Sequence, residues 1–239
     1  MANSWFQFKQ FKIEQGQTAM KVGTDGVMLG AWAEISNSKT ILDIGTGTGL
    51  IALMCAQRNS SARIVGIEID QEASIQATEN FNNSNWSDRL FVKNIAVQDF
   101  AHNNISKFDA IISNPPFFEN AFKAKNTKRH TARHTDSLSF SDLLSVSSKL
   151  LSEEGFFSLI IPAESRNKFI EEAKKYSLYL LKRLDVYPTN QSLSAKRSLL
   201  TFAKVEQSPT IDVLIIEPEK RHQYSDTYIE LTKAFYLNF

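Results

Sequence analysis

The stretch Thr40-Ile41-Leu42-Asp43-Ile44-Gly45-Thr46-Gly47-Thr48-Gly49-Leu50 reads as a short apolar strand running into a glycine-rich turn, with a helix opening near Thr48 or Gly49. Glycine at three alternate positions lets the backbone come very close to a ligand, because no side chain stands between them. The amide groups that open the following helix have no partners inside it and point into the same space. A nucleotide-like cofactor lying across the turn is the first expectation. A dinucleotide fits poorly: its fingerprint is G-x-G-x-x-G with an acid about 20 residues on. Here the third glycine arrives one residue early, and Leu50 sits where that motif wants glycine.

Strands and helices alternate from Thr40 onward. A strand at 40–45 leads to a helix at 49–58, and the near-continuous apolar run Arg63–Asp70 suits a strand buried on both faces of a parallel sheet. A helix over 71–84 places Ala73, Ala77 and Phe81 on one inner face. Further strands are expected at 89–95 and 108–113, then a helix at 140–151, a strand at Phe156–Ile161 and a helix at 164–176. The last part turns β-rich, with strands over Tyr179–Tyr187, Ser198–Val205 and Ile211–Ile216 before a terminal helix at 226–236. This βαβ alternation calls for a doubly wound parallel sheet, completed by an antiparallel C-terminal strand or hairpin. Residues 1–35 form a turn-rich lead-in with a short helix over Gly26–Ala33, for which Asp25 is a possible N-cap. That lead-in either covers one edge of the core or brings Lys21, Thr24 and Asp25 to the cofactor.

Length and composition suit one α/β domain spanning 1–239. With 42% hydrophobic and 22% charged residues the chain is ordinary for a globular protein, and a net charge of +1 means that any basic surface is local. Cys55, the single cysteine, lies in an apolar helical run and reads as a buried residue rather than a reactive thiol. No disulfide can form within the chain, no leader peptide or membrane-length apolar run is seen, and the four histidines lack metal-ligand spacing. A cytoplasmic monomer with no metal and no membrane association is expected.

In open α/β sheets ligands bind outside the carboxyl ends of the strands, where strand order reverses. Glu68 ends the second strand, 23 positions after Gly45, where a carboxylate can accept hydrogen bonds from both hydroxyls of a ribose. Asp70 competes for that role, or else caps the next helix. Asp99 follows the third strand, either to meet an adenine amino group or as an ordinary turn aspartate. Asn114-Pro115-Pro116-Phe117 ends the fourth strand. Two prolines hold the backbone extended and remove two N–H donors, leaving carbonyl oxygens exposed as acceptors. Asn114 adds a side-chain carbonyl and Phe117 a flat apolar face, a combination suited to a planar substrate carrying an NH₂ group.

The pattern Asp43-x-Gly45-x-Gly47-x-Gly49, with Glu68 and Asn114-Pro115-Pro116-Phe117, resembles the class I S-adenosylmethionine-dependent methyltransferases that modify exocyclic or amide nitrogens. The tracts Met20–Gly26, Leu29–Trp32, Ala132–Thr135 and Tyr228–Tyr236 extend the likeness over almost the whole chain. They are similar to the bacterial family that methylates adenine 37 of valine tRNA. Phe117 departs from the family, many of whose members carry tyrosine there; stacking survives and any role of a hydroxyl is lost. The resemblance implies a Rossmann-like, mostly parallel, seven-stranded sheet. It implies S-adenosyl-L-methionine as cofactor, held by Lys21, Thr24, Asp25, Asp43, Gly45, Gly47, Gly49, Glu68, Asp99 and Asn114. It further implies methyl transfer to the N6 amine of an adenine by Asn114, Pro115, Pro116 and Phe117. An aromatic amine is a poor nucleophile because its lone pair is delocalised. Asn114 Oδ1 and the Pro115 carbonyl would accept its two N–H bonds and draw the nitrogen towards tetrahedral geometry, which is positioning and electrostatics rather than strong base catalysis.

The basic tract within 118–138, with Lys123, Lys125, Lys128, Arg129 and Arg133, follows this turn directly and suits a phosphate-gripping loop for tRNA, extended by Lys196 and Arg197. The target base must leave its stack to react, and an anticodon loop makes that cheap. Two other readings use the same residues: a protein glutamine-amide methyltransferase, and a non-catalytic RNA-binding module. The basic loop argues against the first and the intact cofactor turn against the second. Neutralising Lys128 and Arg129 should flatten the dependence of tRNA affinity on salt; an unchanged slope would remove the loop from the RNA interface.

Overall fold

The computed structural model describes residues 3–18, 20–116 and 138–239. In chain order its elements are β1 (Trp5–Gln7), β2 (Lys12–Glu14), α1 (Thr24–Trp32), β3 (Thr40–Ile44), α2 (Leu50–Arg58), β4 (Arg63–Glu68) and α3 (Gln71–Asn82). There follow β5 (Leu90–Asn94), α4 (Val97–Asn103), β6 (Phe108–Ser113), α5 (Phe140–Leu150) and β7 (Leu151–Pro162). The chain continues with α6 (Arg166–Lys174), β8 (Tyr179–Tyr187), β9 (Arg197–Ala203), β10 (Thr210–Ile215) and α7 (Asp226–Thr232).

The main sheet runs β10-β8-β9-β7-β6-β3-β4-β5, eight strands where the resemblance implies seven. The additional strand is β10, which pairs in parallel with β8 at the edge. Only β9 runs against the rest, between β7 and β8. The antiparallel strand therefore lies inside the sheet. Reversal of its direction sets its first residues, Arg197 and Ser198, beside the last residues of β7 and β8.

Alternation along the strands feeds two cores. Ile41, Ile64, Ala110 and Ile112 pack with α1, α2 and Phe81 of α3 on one face. Leu42, Val65, Ile67 and Ile111 pack with α4, α5 and Phe169 of α6 on the other. β4 is buried from Ile64 to Ile67, as a strand covered on both faces requires. Cys55 is fully buried in α2, and burial pushes its thiol up to about 12, far from reactivity.

Helix α1 opens at Thr24 with Gly23 as its N-cap, so Asp25 lies inside the first turn and caps nothing. Asp70 does cap α3, accepting from Ala73 N–H at 2.8 Å. The terminal helix stops at Thr232, earlier than its apolar pattern suggests, because the aromatics beyond it fold back onto the β1–β2 hairpin: Tyr236 lies 5.9 Å from Phe8, ring centre to ring centre.

Beside the packing of Phe8, Phe11 and Ile13 in the core, one buried side chain ties the N-terminal segment to α3. Asn80 of α3 donates to the Glu14 and Thr48 carbonyls at 2.9 and 2.8 Å and accepts from Glu14 N–H at 2.9 Å. It is 2% exposed. Removing it strands buried backbone groups on both elements, at about 1–3 kcal/mol for each group left unsatisfied. Asn80→Ala should lower stability by roughly 3 kcal/mol in equilibrium urea unfolding; a loss under about 0.5 kcal/mol would mean the hairpin is held by other contacts.

Candidate active site

Strand order reverses at β3, which has β4 on one side and β6 on the other. The loop after β3 and the turn after β6 consequently face each other across a cleft of about 380 Å³. Gly45, Gly47, Glu68, Asn114, Pro115 and Pro116 all line it. Gly45, Gly47 and Gly49 have φ of 71°, 55° and 83°, the left-handed region that side chains avoid. Their roles diverge beyond that. A Cβ on Gly45 or Gly47 would meet nothing within 4 Å, so this is open ground for a ligand, whereas one on Gly49 would sit 2.4 Å from a Phe81 ring carbon.

The loop is braced from β4. Ile67 carbonyl accepts from Gly45 and Thr46 N–H at 2.9 and 3.0 Å. Glu68 accepts from Gly47 N–H at 2.8 Å through one carboxylate oxygen and from Asp70 N–H at 3.0 Å through the other. Glu68 thus fixes the glycine loop while bordering the space a ribose would fill.

Asp43 lies beneath the loop, 1% exposed. Its Oδ2 accepts from Thr46 Oγ1 at 2.6 Å, and its Oδ1 is buried with no partner. Desolvation pushes this carboxyl up to about 7; the Thr46 hydrogen bond opposes that, and the nearby Glu68 charge adds to it.

Asn114 stands behind the cleft opposite the loop. Its Oδ1 is buried and has no hydrogen-bond partner among the described residues. Its Nδ2 lies 4.0 Å from where a Cβ on Gly26 would be, so α1 backs directly onto it. Ser113, just before it, donates to the Ile44 carbonyl at 2.9 Å and locks the ends of β3 and β6 in register.

Other expected ligands lie elsewhere. Lys21, Thr24 and Asp25 do not line the cleft. Gln17, Thr18 and Met20 border it instead, because the chain crosses from the cleft to the far side of α1 between Met20 and Gly23. Lys21 donates to the Gln15 carbonyl, and Asp25 accepts from Arg197 Nε at 2.7 Å. Thr24, Asp25, Lys196 and Arg197 line a second, larger cavity of about 890 Å³. Asp99 turns away in the first turn of α4 and is exposed, while Ala96, Val97 and Gln98 form that wall. Gln98 follows the third strand as closely as Asp99 does; a charge-centred search passes over it. Phe117, Lys123, Lys125, Lys128, Arg129 and Arg133 lie outside the described residues. Among the described residues there is no group of three or more side chains able to hold a metal, and no helix is long and apolar enough to cross a membrane.

Residues 22–166 match the methyltransferase small domain family model. The chain belongs to this methyltransferase family. It is 48% identical over 235 residues to the tRNA1(Val) (adenine(37)-N6)-methyltransferase of Flavobacterium psychrophilum, covering 97% of this chain and 99% of that one. It is 46% identical to the protein of the same description from Trichodesmium erythraeum, over the full length of both. Among solved structures, a predicted O-methyltransferase from Agrobacterium tumefaciens superposes with a TM-score of 0.70 at 20% identity, covering 88% of this chain and 96% of that one. That likeness shows the fold. In this methyltransferase the glycine loop and Asn114 lie at the switch point of the sheet, where such folds take their ligands.

Asp43 carries a consequence for stability. A carboxyl raised on folding binds its proton more tightly in the native state, so its contribution is full below about pH 4 and is lost as pH rises towards 7. Asp43→Asn should therefore flatten the fall in melting temperature between about pH 4 and 7, and gain on the natural protein at pH 8. Parallel pH profiles for the two would show that Asp43 is not held protonated.

Proposed function

We propose that this chain methylates the exocyclic N6 amine of an adenine in tRNA, and that the adenine is number 37 in the anticodon loop of valine tRNA. The observation that carries the reading is the buried Asn114 Oδ1, which has no partner among the described residues. A buried acceptor left unpaired costs about 1–3 kcal/mol, so its retention in a cleft wall points to a donor that arrives with the substrate. The full-length relatives described as tRNA1(Val) (adenine(37)-N6)-methyltransferases support adenine as that donor.

The methyl donor is S-adenosylmethionine, and the residues present fit it. Gly45 and Gly47 leave space that a Cβ would fill, Glu68 offers a carboxylate at the ribose position, and Ala96, Val97 and Gln98 supply a wall for the base. When bound, it provides an electrophilic methyl group. Asn114 Oδ1 accepts one N–H of the adenine amine and the Pro115 carbonyl accepts the other. The two acceptors hold the nitrogen with its lone pair out of the ring plane. Both are neutral, so they polarise the N–H bonds without keeping a proton, and the proton shed on methylation passes to water. The chemical task is one of orientation, with effective molarity supplying most of the rate. Phe117 provides a face for the target ring in this reading, and Lys123, Lys125, Lys128, Arg129 and Arg133 take the flanking phosphates. The work is done in the cytoplasm.

The test is Asn114→Ala assayed with unmodified valine tRNA, with nucleoside mapping of the product. Turnover should fall at least 100-fold, the range typical for loss of one preorganised hydrogen-bonding group. Calorimetric affinity for S-adenosylmethionine should stay within about threefold, since the cofactor is held chiefly by the opposite wall. Turnover near that of the natural protein would overturn the assignment.

A further inference from the structure

The larger cavity, about 890 Å³, lies on the same edge of the sheet as the cofactor cleft. Its walls come from the ends of β8 and β10, the start of β9, the start of α1 and the aromatic tail after α7. Only α1 separates it from Asn114: Gly23–Asp25 line the cavity, while Gly26 faces the Asn114 side chain. The cavity falls in the size range of sites that enclose small ligands.

Its lining is aromatic, and its rim carries Lys196 and Arg197 together with the carboxylates of Asp25 and Glu217. Tyr228 is nearly sealed at 2% exposure and forms the floor. Tyr224 stacks on it with ring centres 5.3 Å apart and planes at 26°, while Phe239 stands edge-on to Tyr224 at 5.0 Å. Tyr224 and Phe239 are each only half-buried, so part of each ring is accessible from the cavity. At the rim Lys196 is exposed, and its ammonium pairs with no carboxylate among the described residues. Arg197 lies beside it, oriented by Asp25 at 2.7 Å. His222 on the opposite rim is held at a φ of 66°, with its N–H on Glu217 at 2.8 Å; such an outlier is kept only where the surroundings enforce it.

An apolar π-surface beneath cations is the arrangement that takes a nucleobase with its phosphate, since every base can stack and the phosphate finds the rim charge. We propose that this cavity is a second nucleotide site, which receives a base next to the target adenine while the adenine itself occupies the cleft at Asn114. The inference rests on the RNA reading given above. It supplies what a single flipped base lacks: a second anchor that fixes how far the loop is unstacked and which nucleotide reaches Asn114. Stacking of bases on side chains is tolerant of sequence, so the site sets register more than base identity.

The experiment uses the full chain and an anticodon stem-loop carrying 2-aminopurine on either side of the target adenine. Binding should quench the fluorescence at one of the two positions. Tyr224→Leu, which keeps apolar bulk, should abolish that quench and weaken RNA binding about tenfold, leaving S-adenosylmethionine affinity and melting temperature unchanged. Should that variant lose stability, Phe239→Leu takes its place with the same expected result. Lys196→Ala should keep the quench but reduce the salt slope of binding by about 0.7. No RNA binding, no quench at either position, or a quench indifferent to both aromatic variants would overturn the proposal. Asn114→Ala should bind and quench normally, so loss of the methylation reading and loss of this one give different patterns.

Discussion

The hydrogen bond from Gly47 N–H to Glu68, 2.8 Å long, is the contact on which the site depends. A loop with three left-handed glycines has only Thr46 and Thr48 as side chains, and a Cβ at Gly45 or Gly47 would meet nothing within 4 Å. Its shape is imposed from outside. The Ile67 carbonyl and Glu68 grip it from β4, Thr46 ties it down to Asp43, and Asn80 holds the Thr48 carbonyl from α3. The grip from β4 exists because β3 and β4 run side by side in parallel, Asp43 opposite Gly66 and Ile44 opposite Ile67. Gly66 matters here too. A Cβ there would lie 2.8 Å from Thr46, the side chain that links loop and strand.

The opposing wall obeys a different logic. The turn after β6 is rich in acceptors, whereas the loop amides of Gly45, Thr46 and Gly47 are already bound by Ile67 and Glu68. Pro115 and Pro116 contribute carbonyls without N–H groups, and the buried Asn114 Oδ1 has no hydrogen-bond partner among the described residues. The sheet carries the cost of both walls, through two apolar cores that are almost fully sealed around the central strands. That asymmetry gives the cleft its polarity, and the Ser113 to Ile44 hydrogen bond keeps the two walls in register.

Much of this was legible in the sequence, because it follows from chemistry local to the chain. Alternation of apolar runs marked the buried strands, the glycine spacing marked the loop, and the proline pair marked the acceptor turn. Glu68 was legible because its distance from Gly45 is set by one βαβ unit. What could not be read depends on long-range placement. Asp25 lies 172 positions from Arg197 in sequence, and only the antiparallel insertion of β9 brings them together. Lys21 and Thr24 were expected at the cofactor; the crossing of the chain between Met20 and Gly23, a matter of packing, puts them outside the cleft. Asp99 lies off the cleft lining through helical phase: α4 begins at Val97, and Gln98 rather than Asp99 borders the cleft. Asn80 gave no signal at all, since a buried asparagine on an otherwise ordinary helix has no characteristic pattern.

The two cavities also differ in the span of chain that closes them. The glycine loop is fixed by a contact across 21 positions, and the turn after β6 by one across 69. The aromatic tail that walls the larger cavity is tied to the N-terminal segment by Lys9, which donates to the carbonyls of Lys233 and Phe239 across 224 and 230 positions. Closing the longest of these spans rather than the shortest costs about 2 kcal/mol more in chain entropy. By loop-closure entropy alone the aromatic cavity is the costlier of the two to close, and its walls hold because the packing of Phe8, Tyr228 and Tyr236 offsets that cost.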